Sequence, residues 1–127
     1  MWVYSQSDGS LYRIFNIQPI RFNSVSKGYA GAGNGKNNPA MQNVRNVGPL
    51  PRGLYSILSP INSVKHGPGA LPLVPDPKND MMGRDDFMIH GDSTEAPGCA
   101  SEGCIVMAKI VRELIWQSGD HDLTVIA

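Results

Sequence analysis

The chain has 127 residues, enough for one domain with its own core, and its 11 Lys plus Arg balance 11 Asp plus Glu. A formal net charge of zero excludes a nucleic-acid binder that relies on broad phosphate attraction, and excludes a polybasic membrane anchor. With 41% hydrophobic and 17% charged residues, 14 Gly and 10 Pro, the composition points to a compact, loop-rich domain of short strands rather than a disordered chain.

In chain order, Trp2, Tyr4, Leu11, Tyr12 and Ile14 flank the turn Ser7-Asp8-Gly9-Ser10 and predict a β-hairpin. Residues 26 to 52, rich in Gly and Asn, read as ordered loop, with a capped helical turn at Asn38-Pro39-Ala40-Met41-Gln42. Gly48-Pro49-Leu50-Pro51-Arg52-Gly53 forms a rigid double turn into a strand over Leu54 to Leu58. Pro60 to Pro77 reads as loop with a short edge strand at Ala70 to Val74. Asp86 to His90 reads as a strand delivering His90 at its end. Met107, Ile110, Val111, Leu114 and Ile115 recur at helical spacing as a core-facing stripe, Gly119 stops that helix, and Leu123 to Ile126 is the last strand. The expected fold is mainly β, a sandwich or barrel-like sheet with one principal C-terminal helix, in a single domain over 1–127. No apolar run reaches the roughly 20 residues of a membrane span, and the start shows no cleavable secretion signal.

The chemistry concentrates in Phe87-Met88-Ile89-His90-Gly91-Asp92 and Ser101-Glu102-Gly103-Cys104-Ile105. Only a thiolate attacks, so a nucleophilic cysteine needs a base or cation beside it. His90, at a strand end, and Cys104, ahead of a helix, can meet across 13 intervening residues. Gly103 lets backbone approach a substrate carbonyl, and the Gly103 and Cys104 amides are candidate oxyanion donors, the nearby helix end favouring thiolate. Asp92 either orients His90 or caps a loop turn.

These residues resemble the signature of the L,D-transpeptidase domain family: His-Gly, a loop, then Ser-His-Gly-Cys and a small apolar residue. Gly48 to Ile57 is similar to that family's turn-and-strand element. The Ser-Glu-Gly-Cys-Ile run, with Gly33-Asn34-Gly35 and Asn37-Asn38-Pro39, resembles a compact branch of type VI secretion L,D-transpeptidase-like effectors. The resemblance implies a cysteine enzyme acting on tetrapeptide stems of peptidoglycan without a cofactor, through an acyl-enzyme. The outcome would be L,D-carboxypeptidase, D-amino-acid exchange or transpeptidase chemistry. It implies Cys104 as nucleophile, His90 as base then acid, Gly103 with Cys104 as oxyanion donors, and Ser101 ordering the loop or touching substrate. Glu102 replaces the motif's second His and would offer His90 its backbone carbonyl. Val106 replaces a common Arg, leaving Arg52, Lys36 and Arg84 as candidate partners of a substrate carboxylate. Implied partners are stem peptides, an immunity protein and a secretion machine, with action in a target cell's periplasm and no membrane insertion.

Two other functions compete. A zinc-dependent cell-wall hydrolase would draw ligands from His90, Asp92, Cys99 or Cys104, and His121, although that spacing matches none of the usual zinc patterns. A non-catalytic glycan- or peptide-binding module would use exposed Trp2, Tyr12 and Tyr29. Cys99 reads as structural or as a weak disulfide partner of Cys104, and His66 and His121 read as solvated turn residues.

Overall fold

The computed structural model describes residues 1–14 and 24–127. Among these, ten strands and one α-helix are formed: β1 (Trp2–Ser5), β2 (Ser10–Arg13), β3 (Ser24–Lys27), β4 (Tyr29–Ala30), β5 (Gly53–Ile57), β6 (Ile61–Ser63), β7 (Gly67–Pro75), β8 (Met88–His90), β9 (Ile105–Val106), α1 (Lys109–Gln117) and β10 (Asp122–Ile126). The strands order as β3-β2-β1-β10-β5-β7-β8-β9-β4, with β6 paired to β7. β3 and β4 stand at opposite ends of that order yet are separated in the chain by Gly28 alone, so the sheet curls into a nearly closed barrel. Gly28 donates to Gly9 O at 2.8 Å, and a Cβ on it would stand 1.9 Å from Val106 O. Only glycine lets the two edges approach this closely.

The first hairpin forms as expected, with Val3 opposite Tyr12 and Tyr4 opposite Leu11, Asp8 Oδ1 accepting the Ser10 amide and Gly9 at positive φ. β10 runs parallel to β1 and antiparallel to β5, so the last strand lies between them. Asn38 caps a 3-10 turn over Pro39–Met41 by accepting the Ala40 amide at 3.2 Å. The alternating side chains of the sheet enclose a core that includes Trp2, Tyr4, Leu71, Ile89, Ile105 and Leu123.

Three expectations require correction. Residues 26 to 52, read as loop outside the Asn38 turn, include the end of β3 and all of β4, which pairs with β9. The proline-rich stretch is the longest strand: β7 pairs with β5, β6 and β8 and is no edge. Pro72 is tolerated there because its carbonyl accepts Leu58 N–H at 2.9 Å just where β5 ends, and Leu73, its neighbour, supplies the donor to Phe87 O. The helix stripe also divides. Val111, Arg112 and Ile115 face inward, whereas Ile110 is 75% and Leu114 47% exposed, because the nine-residue helix rests on β7 and β8 along a narrow line. Gly119, at φ 72°, follows the helix end as expected. Among the described residues no helix is long and apolar enough to cross a membrane.

Candidate active site

β8 and β9 are parallel neighbours, with Ile89 opposite Ile105 and His90 opposite Val106. Ile89 and Ile105 point into the core, the alternation turns His90 away from it, and Cys104, one residue before β9, is buried against the core's edge. Cys104 immediately precedes β9, so the pairing brings the imidazole and the thiol together, a ring nitrogen within 4.8 Å of Sγ. His90 Nδ1 lies 2.8 Å from Gly91 O, which selects the tautomer with Nδ1–H donating and Nε2 as acceptor. Nε2 is buried and has no hydrogen-bond partner among the described residues. It is an acceptor left open toward the thiol.

The electrostatics describe a neutral resting pair. Burial pushes the His90 pKa below its ordinary value, the Arg112 guanidinium adds to this, and the Gly91 hydrogen bond opposes it. Burial pushes the Cys104 thiol up, countered by the Met88 amide at the sulfur and by the charges of Lys65 and Arg84. The helix end expected to favour thiolate does not act here. Two residues of β9 and two of linker separate Cys104 from α1, beyond the reach of a helix dipole.

Ser101 orders the turn. Its Oγ accepts the Gly31 amide at 2.9 Å and the Gly103 amide at 3.0 Å, and donates to Cys104 O at 2.6 Å. Gly103 N–H is therefore already engaged, which corrects its expected place as an oxyanion donor. Its missing Cβ has another use: at φ 140°, a side chain would meet Arg84 Nη2 at 2.6 Å and the Phe87 ring at 3.0 Å. Arg84 is 5% exposed and donates to four carbonyls, Gln42, Gly48, Pro49 and Glu102, which welds the Gly-rich segment to the cysteine turn. It is not open to a substrate carboxylate. Glu102 O goes to Arg84, and Gly91 O, not Glu102 O, orients His90.

Asp92 also takes the second of its two expected uses. Its carboxylate accepts Tyr29 OH at 2.6 Å and the Ser93 and Gly98 amides, holding the 92–100 loop, and these bonds keep its pKa below the usual carboxylate value despite the opposing effect of burial. Lys36 sits 4.3 Å over the Tyr29 ring and donates to Gly98 O, so it serves the same loop. Trp2 and Tyr29 are buried, which removes them from the expected aromatic binding surface. Cys99 is exposed and free, neither core nor disulfide-bonded.

The sequence reading missed His66. Its ring stacks on His90 with centroids 4.0 Å apart and planes inclined 14°, and burial together with His90 pushes its pKa down to about 4. The signal was present but hidden: once Gly67 to Pro75 is a strand, Lys65-His66 is the turn of a β6–β7 hairpin, aimed at the end of the neighbouring β8. His121 instead stacks on Trp116 at 4.2 Å. Two cavities flank the pair. One, of about 300 Å³, is lined by Cys104, Arg45, Lys65, His66 and Asp86; the other, of about 490 Å³, by His90, Asp92, Thr94, Glu95 and Cys99. Lys65, His66 and Glu102 line both, and the Lys65–Glu102 ion pair at 3.2 Å bridges the divide.

The zinc set expected from sequence is not assembled, since His121 and Asp92 are engaged elsewhere. Among the described residues, the group of His, Cys, Asp or Glu that brings three ligand atoms together is His66, His90 and Cys104. The resulting unit is a buried thiol and an acceptor imidazole at the junction of two grooves, the arrangement for nucleophilic acyl transfer.

Comparison with curated proteins gives no match. The structure of Bdellovibrio bacteriovorus Bd1075 is similar, with a TM-score of 0.63 and 14% identity, over 99% of this chain and 47% of that one. The likeness shows a shared fold, and this chain spans about half the length of that protein. The family model of the Tlde1 domain matches residues 24–125, a span that holds Ser101, Gly103 and both members of the thiol–imidazole pair, and the chain accordingly belongs to the Tlde1-domain family of type VI secretion effectors.

Proposed function

We propose that the protein is a peptidoglycan-modifying cysteine enzyme delivered by a type VI secretion machine into the periplasm of a target bacterium, where it cuts the tetrapeptide stem at its terminal D-alanine. The observation that carries this reading is the orphaned, buried Nε2 of His90 beside Cys104 at the floor of two grooves, within a family of effectors. Nε2 takes the Sγ proton as sulfur attacks the carbonyl of the third stem residue. Electron density moves onto the carbonyl oxygen, for which the Cys104 amide is the candidate donor. The imidazolium then returns its proton to the departing D-alanine amine as the C–N bond breaks, leaving a thioester. Water, activated by the same nitrogen, releases the tripeptide; a free D-amino acid or the amine of a second stem takes its place in exchange or cross-linking.

A neutral thiol and a neutral imidazole suit this sequence. At rest the thiol donates to Asp86 O at 3.8 Å; the proton moves to His90 only when substrate occupies the groove, and the buried Arg84 and the Met88 amide stabilise the sulfur anion as it forms. Arg45 and Lys65, which line the Cys104 cavity, are the cations assigned to the stem's carboxylate. An immunity protein would act by covering the two grooves. Mass analysis of purified tetrapeptide muropeptides tests the reading. Loss of D-alanine with the intact chain, and none with Cys104→Ala, is expected; equal cleavage by both overturns it.

A further inference from the structure

The nucleophile stands in a second constellation. One ring nitrogen of His66, one of His90 and Sγ of Cys104 lie within 4.8 Å of one another, and His90 Nε2 is buried without a partner. Two imidazoles and one thiolate are the donor set of borderline-soft divalent ions. His90 already donates its other N–H to a backbone carbonyl, Gly91 O at 2.8 Å, the outer-shell contact that fixes a metal-binding histidine. A tetrahedral ion with bonds of about 2.0–2.3 Å sets its ligand atoms roughly 3.3–3.6 Å apart, so closure takes a shift of about 1 Å. His66 can supply it. Its turn is at the surface, Val64 close by fully exposed, and on binding its ring, now stacked on His90, would rotate to aim a nitrogen at the ion. Glu102 and Asp86 line the adjoining cavities and offset the positive charge of Lys65 there.

We propose that His66, His90 and Cys104 form a binding site for a soft divalent cation of the zinc type, which caps the nucleophile and holds the protein in a reversible silent state. The thiol loses its proton to solvent as the sulfur–metal bond forms, two neutral imidazoles complete three ligands, and a water takes the fourth position. This state is distinct from the zinc hydrolase considered from sequence, because the metal occupies the nucleophile instead of serving the reaction. Binding does not depend on the peptidoglycan reading: the chain can hold the ion whatever its substrate, and the test reads the ion directly.

The test titrates the metal-free full chain with Co2+ under a non-thiol reductant, with absorbance as readout. Expected are one equivalent bound, an intense near-ultraviolet thiolate-to-cobalt band with visible bands of tetrahedral cobalt, and loss of all of them on adding Zn2+. Cys104→Ser should abolish the near-ultraviolet band, and His66→Ala, at a surface turn, should weaken binding at least tenfold with an unchanged circular dichroism spectrum. Cys99→Ser should bind as the parent does. No thiolate band in the parent, a band that follows Cys99 instead of Cys104, or unchanged affinity in His66→Ala would each overturn the site.

Discussion

The imidazole of His66 lies face to face on that of His90, and one hairpin turn thereby covers the ring beside Cys104. The stack fixes His90's plane from one side while Gly91 O fixes its Nδ1 from the other. Replacing His66 by Phe preserves a flat ring over His90, whereas Ala exposes it to water. With chelator present, His66→Phe should retain most of kcat and His66→Ala should lose roughly tenfold or more, the scale of misplacing a general base. Equal activity in the two variants would show that the stack does not position the base.

The pH dependence follows from the same neutral pair. His90, its pKa lowered by burial, stays unprotonated until the pH falls below the ordinary imidazole value of about 6.5. Protonation fills Nε2, so activity is lost as pH falls through that lowered value. In chelator, the acid limb of kcat/KM should lie below 6.5. A limb at or above it would contradict the burial-lowered pKa of His90.

Ser101 makes three hydrogen bonds from one buried hydroxyl, tying Gly31, Gly103 and Cys104 together. Ser101→Ala leaves two amides and a carbonyl to find other partners, at a cost of about 2–4 kcal/mol. Urea unfolding should show the loss as a lower midpoint with an unchanged slope. A change below 0.5 kcal/mol on the scale of surface substitutions, roughly their usual range, would contradict the keystone placement.

Glu102 gives the opposite expectation. Its carboxylate meets Lys65 at 3.2 Å with both side chains more than half exposed, and such pairs contribute about 0–1 kcal/mol. Glu102→Gln should leave stability nearly unchanged, since its carbonyl, which Arg84 uses, survives the substitution. A loss above about 2 kcal/mol, the scale of a buried charge pair, would show that the Glu102 side chain, and not only its carbonyl, supports the fold.

Local signals carried much of the fold. The Asp8-Gly9 turn, the Asn38 cap, the apolar strand before His90 and the Gly119 stop are each set by neighbours in sequence, and each appears in place. β7 was obscured because Pro68, Pro72 and Pro75 read as breakers, while their tolerance depends on which partner strand has already ended. Cys104 and His90 were legible through motif and spacing. His66, Arg84 and Arg112 were not, since each acts across the barrel: Arg112 donates to Met107, Pro68 and Gly69 carbonyls and packs under Gly91, whose missing side chain makes the room. Gly103 was found for the wrong partner, and for Asp92 two uses stayed open, because a sequence names donors and acceptors without saying which contact claims them.

The central claim is that one sulfur and one imidazole nitrogen carry out the reaction together. Its most direct measurement is mass spectrometry of muropeptides from purified tetrapeptide stems incubated with the parent chain, Cys104→Ala and His90→Ala, each variant checked for the parental circular dichroism spectrum. The account predicts tripeptide, or D-amino-acid-exchanged stems when D-methionine is added, from the parent alone. Parental product from either folded variant would contradict it.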